Sequence, residues 1–253
     1  MNLEIFSLEN KVAIVTGTSA GIGEGIAAAL AKAGADIVGV ARRNCPGARK
    51  KVEAEGRRFY EIQADLTSQE PIERIISETL NEFGKIDILV NNAGTIRRCD
   101  ALMFSEQDWD DVLNLNLKSM FFLSQKVAQQ YINQGNGGKI INIASMLSYQ
   151  GGIRVVSYTA SKSGVMGMTR LLANEWAKYG INVNAIAPGY VATDNTQALR
   201  EDEKRYQEIL DRIPAGRWAQ PEDMGGAAVF LASKASDYIQ GHTVAVDGGW
   251  LAR

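Results

Sequence analysis

Histidine, cysteine and proline are all scarce in this chain of 253 residues, at one, two and five. A lone histidine, His242, leaves almost nothing from which to build a histidine metal site. Cys45 and Cys99 are far apart and form no CxxC pair, which excludes a disulfide scaffold and fits reduced thiols. An excess of one charge is missing too: 27 Lys+Arg stand against 29 Asp+Glu, a formal net charge of −2. With no acidic or basic tail, a protein that holds nucleic acid by bulk charge is excluded. The apolar stretch from Ile26 to Ala41 is broken by Lys32 and Asp36, and no run reaches the roughly 18 residues of a membrane span. The opening Met1-Asn2-Leu3-Glu4-Ile5-Phe6 has no basic stretch leading into an apolar core. No signal peptide and a cytoplasmic protein are therefore expected.

What is present is an alternation of short β-branched runs and helical periods. Strands are expected at 12–16, 37–41, 58–63, 86–91, 139–143, 181–187 and 243–246. Helices are expected at 21–33, 69–83, 108–132 with a break near Asn116, 156–179, and 220–232 with Pro221 in its first turn. Apolar strands separated by helices predict an α/β fold, a doubly wound seven-stranded parallel sheet with helices on both faces. Seven strands need most of the chain, so residues 1–253 read as a single domain. Segment 191–219, charged between Arg200 and Arg205, is either a solvated helical excursion or a lid. A loop leaving that strand departs from the ligand-binding edge of such a sheet.

Thr16-Gly17-Thr18-Ser19-Ala20-Gly21-Ile22-Gly23 links the first strand to a helix. Glycines there let the backbone approach a phosphate, and the helix N-terminus offers free N–H groups to it. The same stretch contains G-x-S-x-G, the nucleophile elbow of hydrolases, with His242 far downstream. That reading fails: an elbow needs earlier strands to supply its oxyanion loop, and no acid partner is identifiable. Beyond the second strand, at about Ala41, there is no acid for a ribose 2′-hydroxyl. Arg42 and Arg43 follow instead, either as partners of a 2′-phosphate, which favours NADP, or as surface residues. Asp65 follows the third strand, where it could accept from an adenine amino group. Asn91-Asn92-Ala93-Gly94 ends the fourth with small residues against which a flat ring can lie.

Tyr158 and Lys162 stand four apart in the long helix, so phenol and ammonium share a face. A cation held near a phenol lowers its pKa from about 10 toward the working range of an acid/base. Ser145 ends the fifth strand, Asn116 sits at the helix break, and Pro188-Gly189 and Thr193 follow the sixth strand. All fall at the carboxyl edge of the sheet or on adjacent helices.

The joint set TGxxxGxG, NNAG, Asn, Ser, YxxxK and PGxxxT resembles the short-chain dehydrogenases/reductases over essentially the whole chain, a family of Rossmann-fold enzymes. The resemblance implies a catalytic tetrad of Asn116, Ser145, Tyr158 and Lys162. In it Tyr158 is the acid/base and Ser145 polarises the substrate oxygen. Lys162 holds the nicotinamide ribose, and Asn116 fixes a water in the proton relay. It implies cofactor contacts at Gly17, Ser19, Gly21, Ile22, Asp65, Asn92, Ala93 and Gly94, with Pro188, Gly189, Val191 and Thr193 at the nicotinamide end. It also implies a homotetramer. Several further stretches, among them Ile96-Arg97-Arg98 and the C-terminal Ala245-Val246-Asp247-Gly248-Gly249-Trp250, are similar to the bacterial members acting on deoxy sugar acids of the gluconate type. Those are described as using NAD, whereas Arg42 favours NADP.

Arginines add a separate hint. Arg97 and Arg98 follow the fourth strand, and Arg154 lies between Ser145 and Tyr158, so a guanidinium pair could read a substrate carboxylate. The alternative is surface arginines pairing with Asp100 or solvent. Arg98 and Arg154 are the chosen pair. The expected activity is an NAD(P)-dependent interconversion of a hydroxyl and a ketone on a sugar acid. Two rivals remain: a 3-oxoacyl-thioester reductase with the same tetrad, whose substrate needs an apolar channel, and a nucleotide-binding sensor without turnover, which would need no tetrad.

Overall fold

The computed structural model describes residues 3–253; the first two residues of the N-terminal stretch lie outside the described residues. Strands and helices alternate in the expected manner. The first half holds β1 (Val12–Thr16), α1 (Gly21–Lys32), β2 (Asp36–Ala41), α2 (Pro46–Ala54), β3 (Phe59–Gln63), α3 (Ile72–Phe83) and β4 (Ile88–Asn91). Then come α4 (Glu106–Leu113), α5 (Ser119–Gln134), β5 (Gly138–Ile143), α6 (Val156–Trp176) and β6 (Ile181–Pro188). The chain closes with α7 (Gln197–Glu201), α8 (Glu203–Arg212), α9 (Gly225–Ala232) and β7 (Thr243–Val246).

The seven strands form one parallel sheet in the order β3-β2-β1-β4-β5-β6-β7. Its strands are apolar on both faces because both faces are covered. Ala13 and Val15 of β1 join the cluster under α1 and α9, with Ile26, Leu30 and Leu231. Val12 and Ile14 point the other way, into the cluster under α3, α5 and α6, with Ile75, Leu123 and Leu172. This two-residue alternation onto opposite cores is the doubly wound arrangement the strand composition predicts. Chain order reverses between β1 and β4, so their carboxyl ends diverge and leave a crevice.

Two departures from the expected elements have local causes, and the segment left open between two readings is resolved in its backbone. Residues 46–54 form a helix that periodicity missed, since only Ala48 and Val52 of α2 are buried. The expected helix 108–132 is two helices joined by a π turn at Asn114–Lys118. Segment 191–219 is helical, with α7 and α8, and its neck is closed by a bridge between Val191 and Ala219.

Candidate active site

A cleft of about 330 Å³ opens where β1 and β4 part. Its floor is the turn after β1. Gly17 has φ +74°, and a Cβ on Gly23 would lie 2.2 Å from the Gly17 carbonyl oxygen, so only glycine fits either place. Helix α1 starts after Ala20 with no side-chain cap. Ser19, Gly21 and Ile22 line the cleft, which leaves the first amides of α1 available to a phosphate. Arg42 and Arg43 stand exposed on the wall beyond β2. Among the described residues, neither guanidinium has a hydrogen bond or ion pair. Asp65 lines the same wall, one of its oxygens accepting from the Thr67 N–H at 2.9 Å. Glycine cradle, free helix amides, paired arginines and an acceptor suit a dinucleotide with a phosphorylated ribose.

The end of β4 is stitched to that turn. Asn92 Nδ2 donates to the Thr16 carbonyl at 2.8 Å and the Gly17 carbonyl at 3.3 Å, and the Ala93 N–H donates to Thr16 Oγ1 at 2.9 Å. Asn92, Ala93 and Gly94 line the cleft, but the Asn92 amide is spent on the backbone. Thr193 also lines it, followed by Asp194 and Asn195, which the sequence reading passed over. Pro188, Gly189 and Val191 do not reach the cleft wall. They fix the neck: the Gly189 N–H donates to the Val246 carbonyl at 3.0 Å, and Val191 is buried in the bridge to Ala219.

Of the four expected tetrad residues, Tyr158 and Lys162 line the cleft, and Asn116 and Ser145 do not. Asn116 is 2% exposed in the π turn. Its Oδ1 accepts from the Thr95 N–H at 2.8 Å, and its Nδ2 donates to the Thr95 carbonyl at 2.9 Å and Ser161 Oγ at 3.1 Å. Ser161 Oγ in turn donates to the Tyr158 carbonyl at 2.8 Å. The Asn116 side chain therefore locks the loop after β4 to the helix carrying Tyr158. A π turn at such a place is a recurrent way of building a site into a helix.

Ser145 caps a short turn after β5, its Oγ accepting from the Leu147 N–H at 3.2 Å, and its side chain faces the Tyr158 phenol closely enough to lower the phenol's pKa. Burial pushes the phenol pKa up, while the Ser145 side chain and then the Arg98 charge pull it down. Lys162 Nζ lies 5.7 Å from the Tyr158 ring centroid and donates to the Ile143 carbonyl at 2.5 Å. Burial drops its pKa from 10.5 to about 8. Lys162 thus stands over the phenol ring as the helix spacing predicts, and the Arg98 charge reaches the same phenol.

The three arginines separate clearly. Arg97 pairs with Asp108 at 3.3 Å and Asp111 at 3.1 Å, and Arg154 pairs with Asp100 at 3.1 Å, the alternative its surroundings in sequence allowed. Arg98 has no carboxylate partner among the described residues; its Nη2 donates to the Asn195 carbonyl at 2.8 Å across the cleft mouth. His242 precedes the amino end of the edge strand β7, whereas Ser19 follows the carboxyl end of β1, four strands away, so no hydrolase triad forms. The described residues hold no cluster of three metal-ligating side chains and no helix long and apolar enough to cross a membrane.

A family model described as enoyl-(acyl carrier protein) reductase matches residues 17–251. The chain is 66% identical over 253 residues, covering all of both chains, to the 2-dehydro-3-deoxy-D-gluconate 5-dehydrogenase of Escherichia coli strain K12. Among solved structures it is similar to a candidate 2-deoxy-D-gluconate 3-dehydrogenase from Agrobacterium tumefaciens with bound NADP, at 53% identity and TM-score 0.92, covering 98% of this chain and 99% of that one. It is also similar to a gluconate 5-dehydrogenase from Burkholderia cenocepacia J2315 in complex with NADP and tartrate, at 38% identity and TM-score 0.93, covering 99% of each.

Proposed function

The chain belongs to the short-chain dehydrogenase/reductase family, and from that premise we propose that it is an NAD(P)-dependent oxidoreductase that interconverts a hydroxyl and a ketone on a deoxy sugar acid of the 2-dehydro-3-deoxy-D-gluconate type. The observation that carries the reading is Arg98. It is a guanidinium without a carboxylate partner, it reaches across the cleft mouth, and its charge is felt at the Tyr158 phenol. A thioester reductase would need an apolar wall where this cation stands. The full-length likeness to a deoxy-gluconate dehydrogenase points the same way.

The nucleotide phosphates would rest on Gly17, Ser19, Gly21 and Ile22, the adenosine end between Asp65 and Arg42, and the nicotinamide end near Asn92, Ala93, Gly94, Lys162 and Thr193, with Pro188, Gly189 and Val191 behind. The nicotinamide supplies or accepts the hydride when bound. Tyr158 gives a proton to the carbonyl oxygen or takes one from the hydroxyl. Burial keeps the phenol protonated, the form suited to reduction, and Ser145 and Arg98 bring its proton back within reach for oxidation. Ser145 donates to the same substrate oxygen. Lys162 would carry the ribose, and Asn116, which holds Tyr158 and the loop after β4 in register, would fix a water in the proton relay. Arg98 reads the substrate carboxylate; Arg154 would join it only by giving up Asp100. Residues 1–253 work as one catalytic domain with 191–219 as the lid, in a cytoplasmic homotetramer.

The test is a turnover assay with a panel of sugar acids, each with NAD(H) and NADP(H). Turnover of a six-carbon keto or hydroxy deoxy acid supports the reading. Activity on acyl thioesters alone would overturn it.

A further inference from the structure

Gln63 entered none of the motifs, yet it ties down the backbone from which Arg42 projects. It ends β3 opposite Ala41 of β2. The ladder runs one bond further, from the Ala64 N–H to the Ala41 carbonyl at 2.9 Å. Glu61 and Gln63 flank the buried Ile62, so both side chains leave the other face of the strand. From there they hold the two ends of the bend Arg42-Arg43-Asn44-Cys45. Gln63 Nε2 donates to the Arg42 carbonyl at 2.8 Å, and Glu61 Oε2 accepts from the Cys45 N–H at 3.1 Å. Gln63 is itself anchored, because Arg74 Nη2 of α3 donates to its carbonyl at 2.7 Å.

The bend is closed from inside as well. Cys45 is fully buried; its Sγ donates to the Arg43 carbonyl at 3.5 Å and lies 3.3 Å from Thr18 Oγ1 in the turn after β1. Both arginine carbonyls are thus met by fixed donors. Both guanidiniums line the cleft with Asp65 and have no partner among the described residues. Holding the Cα of Arg42 confines its guanidinium to that stretch of the cleft wall. A backbone secured on all sides around two unpaired cations is a site ordered before its anion arrives, so little conformational freedom is lost on binding. A ribose 2′-phosphate supplies the acceptors, whereas a plain 2′-hydroxyl would leave both guanidiniums to water.

We infer that Gln63 is a positioning residue for nucleotide choice: its bond to the Arg42 carbonyl aims the Arg42 guanidinium at the 2′-phosphate, and the chain favours NADP(H). The inference rests on the NAD(P) reading above. It is tested with Gln63→Met, which keeps the length of an exposed side chain and removes the donor. Dissociation constants for NADPH and NADH are read from nicotinamide fluorescence in the wild type, Gln63→Met, Arg42→Ala and the double variant. The wild type is expected to bind NADPH more tightly than NADH. Gln63→Met should weaken NADPH about fivefold, the value of one hydrogen bond, and leave NADH within about twofold. Arg42→Ala should weaken NADPH about ten- to a hundredfold. Adding Gln63→Met to Arg42→Ala should cost little more, because Gln63 acts through Arg42. A wild type that favours NADH, an NADPH constant that Gln63→Met does not move, an equal loss on both nucleotides, or the same loss again in the Arg42→Ala background overturns the role of Gln63 while leaving the oxidoreductase reading standing. A wild type that binds neither nucleotide overturns both.

Discussion

Replacing Lys162 with methionine should stabilise the protein at neutral pH while removing its activity. Lys162 is 5% exposed, and burial lowers its pKa from 10.5 to about 8. That difference corresponds to about 3 kcal/mol of native-state stability withheld at pH 7, where the lysine is charged in both the folded and unfolded chain. Methionine relieves the buried charge but removes the donor to the Ile143 carbonyl, and a buried acceptor left alone costs about 1–3 kcal/mol. The net expectation at pH 7 is a gain of about 1 kcal/mol, or about 2–4 °C in melting temperature for a chain of this size. The sign depends on pH. Between about 8 and 10.5 the folded lysine holds fewer protons than the unfolded one, so wild-type stability rises with pH across that window. The advantage of Lys162→Met should therefore shrink above pH 8 and reverse before pH 10. Urea denaturation of both proteins at pH 7, 8, 9 and 10, without added nucleotide, reads this directly. A stability difference that stays constant with pH would show that the ammonium carries no burial penalty, and the electrostatic description of the site would be wrong.

Tyr158→Phe should lower kcat by at least about a thousandfold, with nucleotide affinity changed less than about threefold, because only the phenol oxygen moves a proton; near-normal turnover would remove Tyr158 from the chemistry. Arg42→Asp should shift the ratio of kcat/KM from NADP toward NAD, since a carboxylate repels the 2′-phosphate and accepts from a 2′-hydroxyl; an unchanged ratio would mean that Arg42 faces solvent. Arg98→Ala should cost about ten- to a hundredfold in kcat/KM on the acid, the value of a charge-assisted bond, and little on a neutral analogue. Arg154→Ala should cost little on either, because Asp100 already occupies that guanidinium; a larger loss for Arg154 than for Arg98 would reverse their assignment.

The fold was legible because it rests on short-range patterns. The run Val12–Thr16 is β-branched and stops at a glycine, and its bounds match β1; the same holds for β7. The break near Asn116 was visible as an asparagine inside an apolar helix. Helix α2 was not, because two buried residues in nine make no period. Likewise the charge between Arg200 and Arg205 hid the inward-facing Ile209 of α8. Arg97, Arg98 and Arg154 look alike in sequence and differ only in which aspartates the fold brings to them.

The hydrogen bonds from Thr16 and Gly17 through Asn92, and from Thr95 through Asn116 and Ser161 to the backbone of Tyr158, join motifs that are scattered along the chain. Such a chain cannot be edited one member at a time: a new side chain at Asn92 or Asn116 disturbs nucleotide floor and acid/base together. Segment 192–218 is tied differently, through a two-residue neck, an aromatic cluster and scattered bonds such as Arg98 to the Asn195 carbonyl. For evolution, and for anyone redesigning the enzyme, this divides the molecule into a portion that is inherited whole and a portion that can be exchanged. New substrates would be reached by rewriting segment 192–218, while the hydrogen-bonded portion around Asn92, Asn116 and Tyr158 is carried along unaltered.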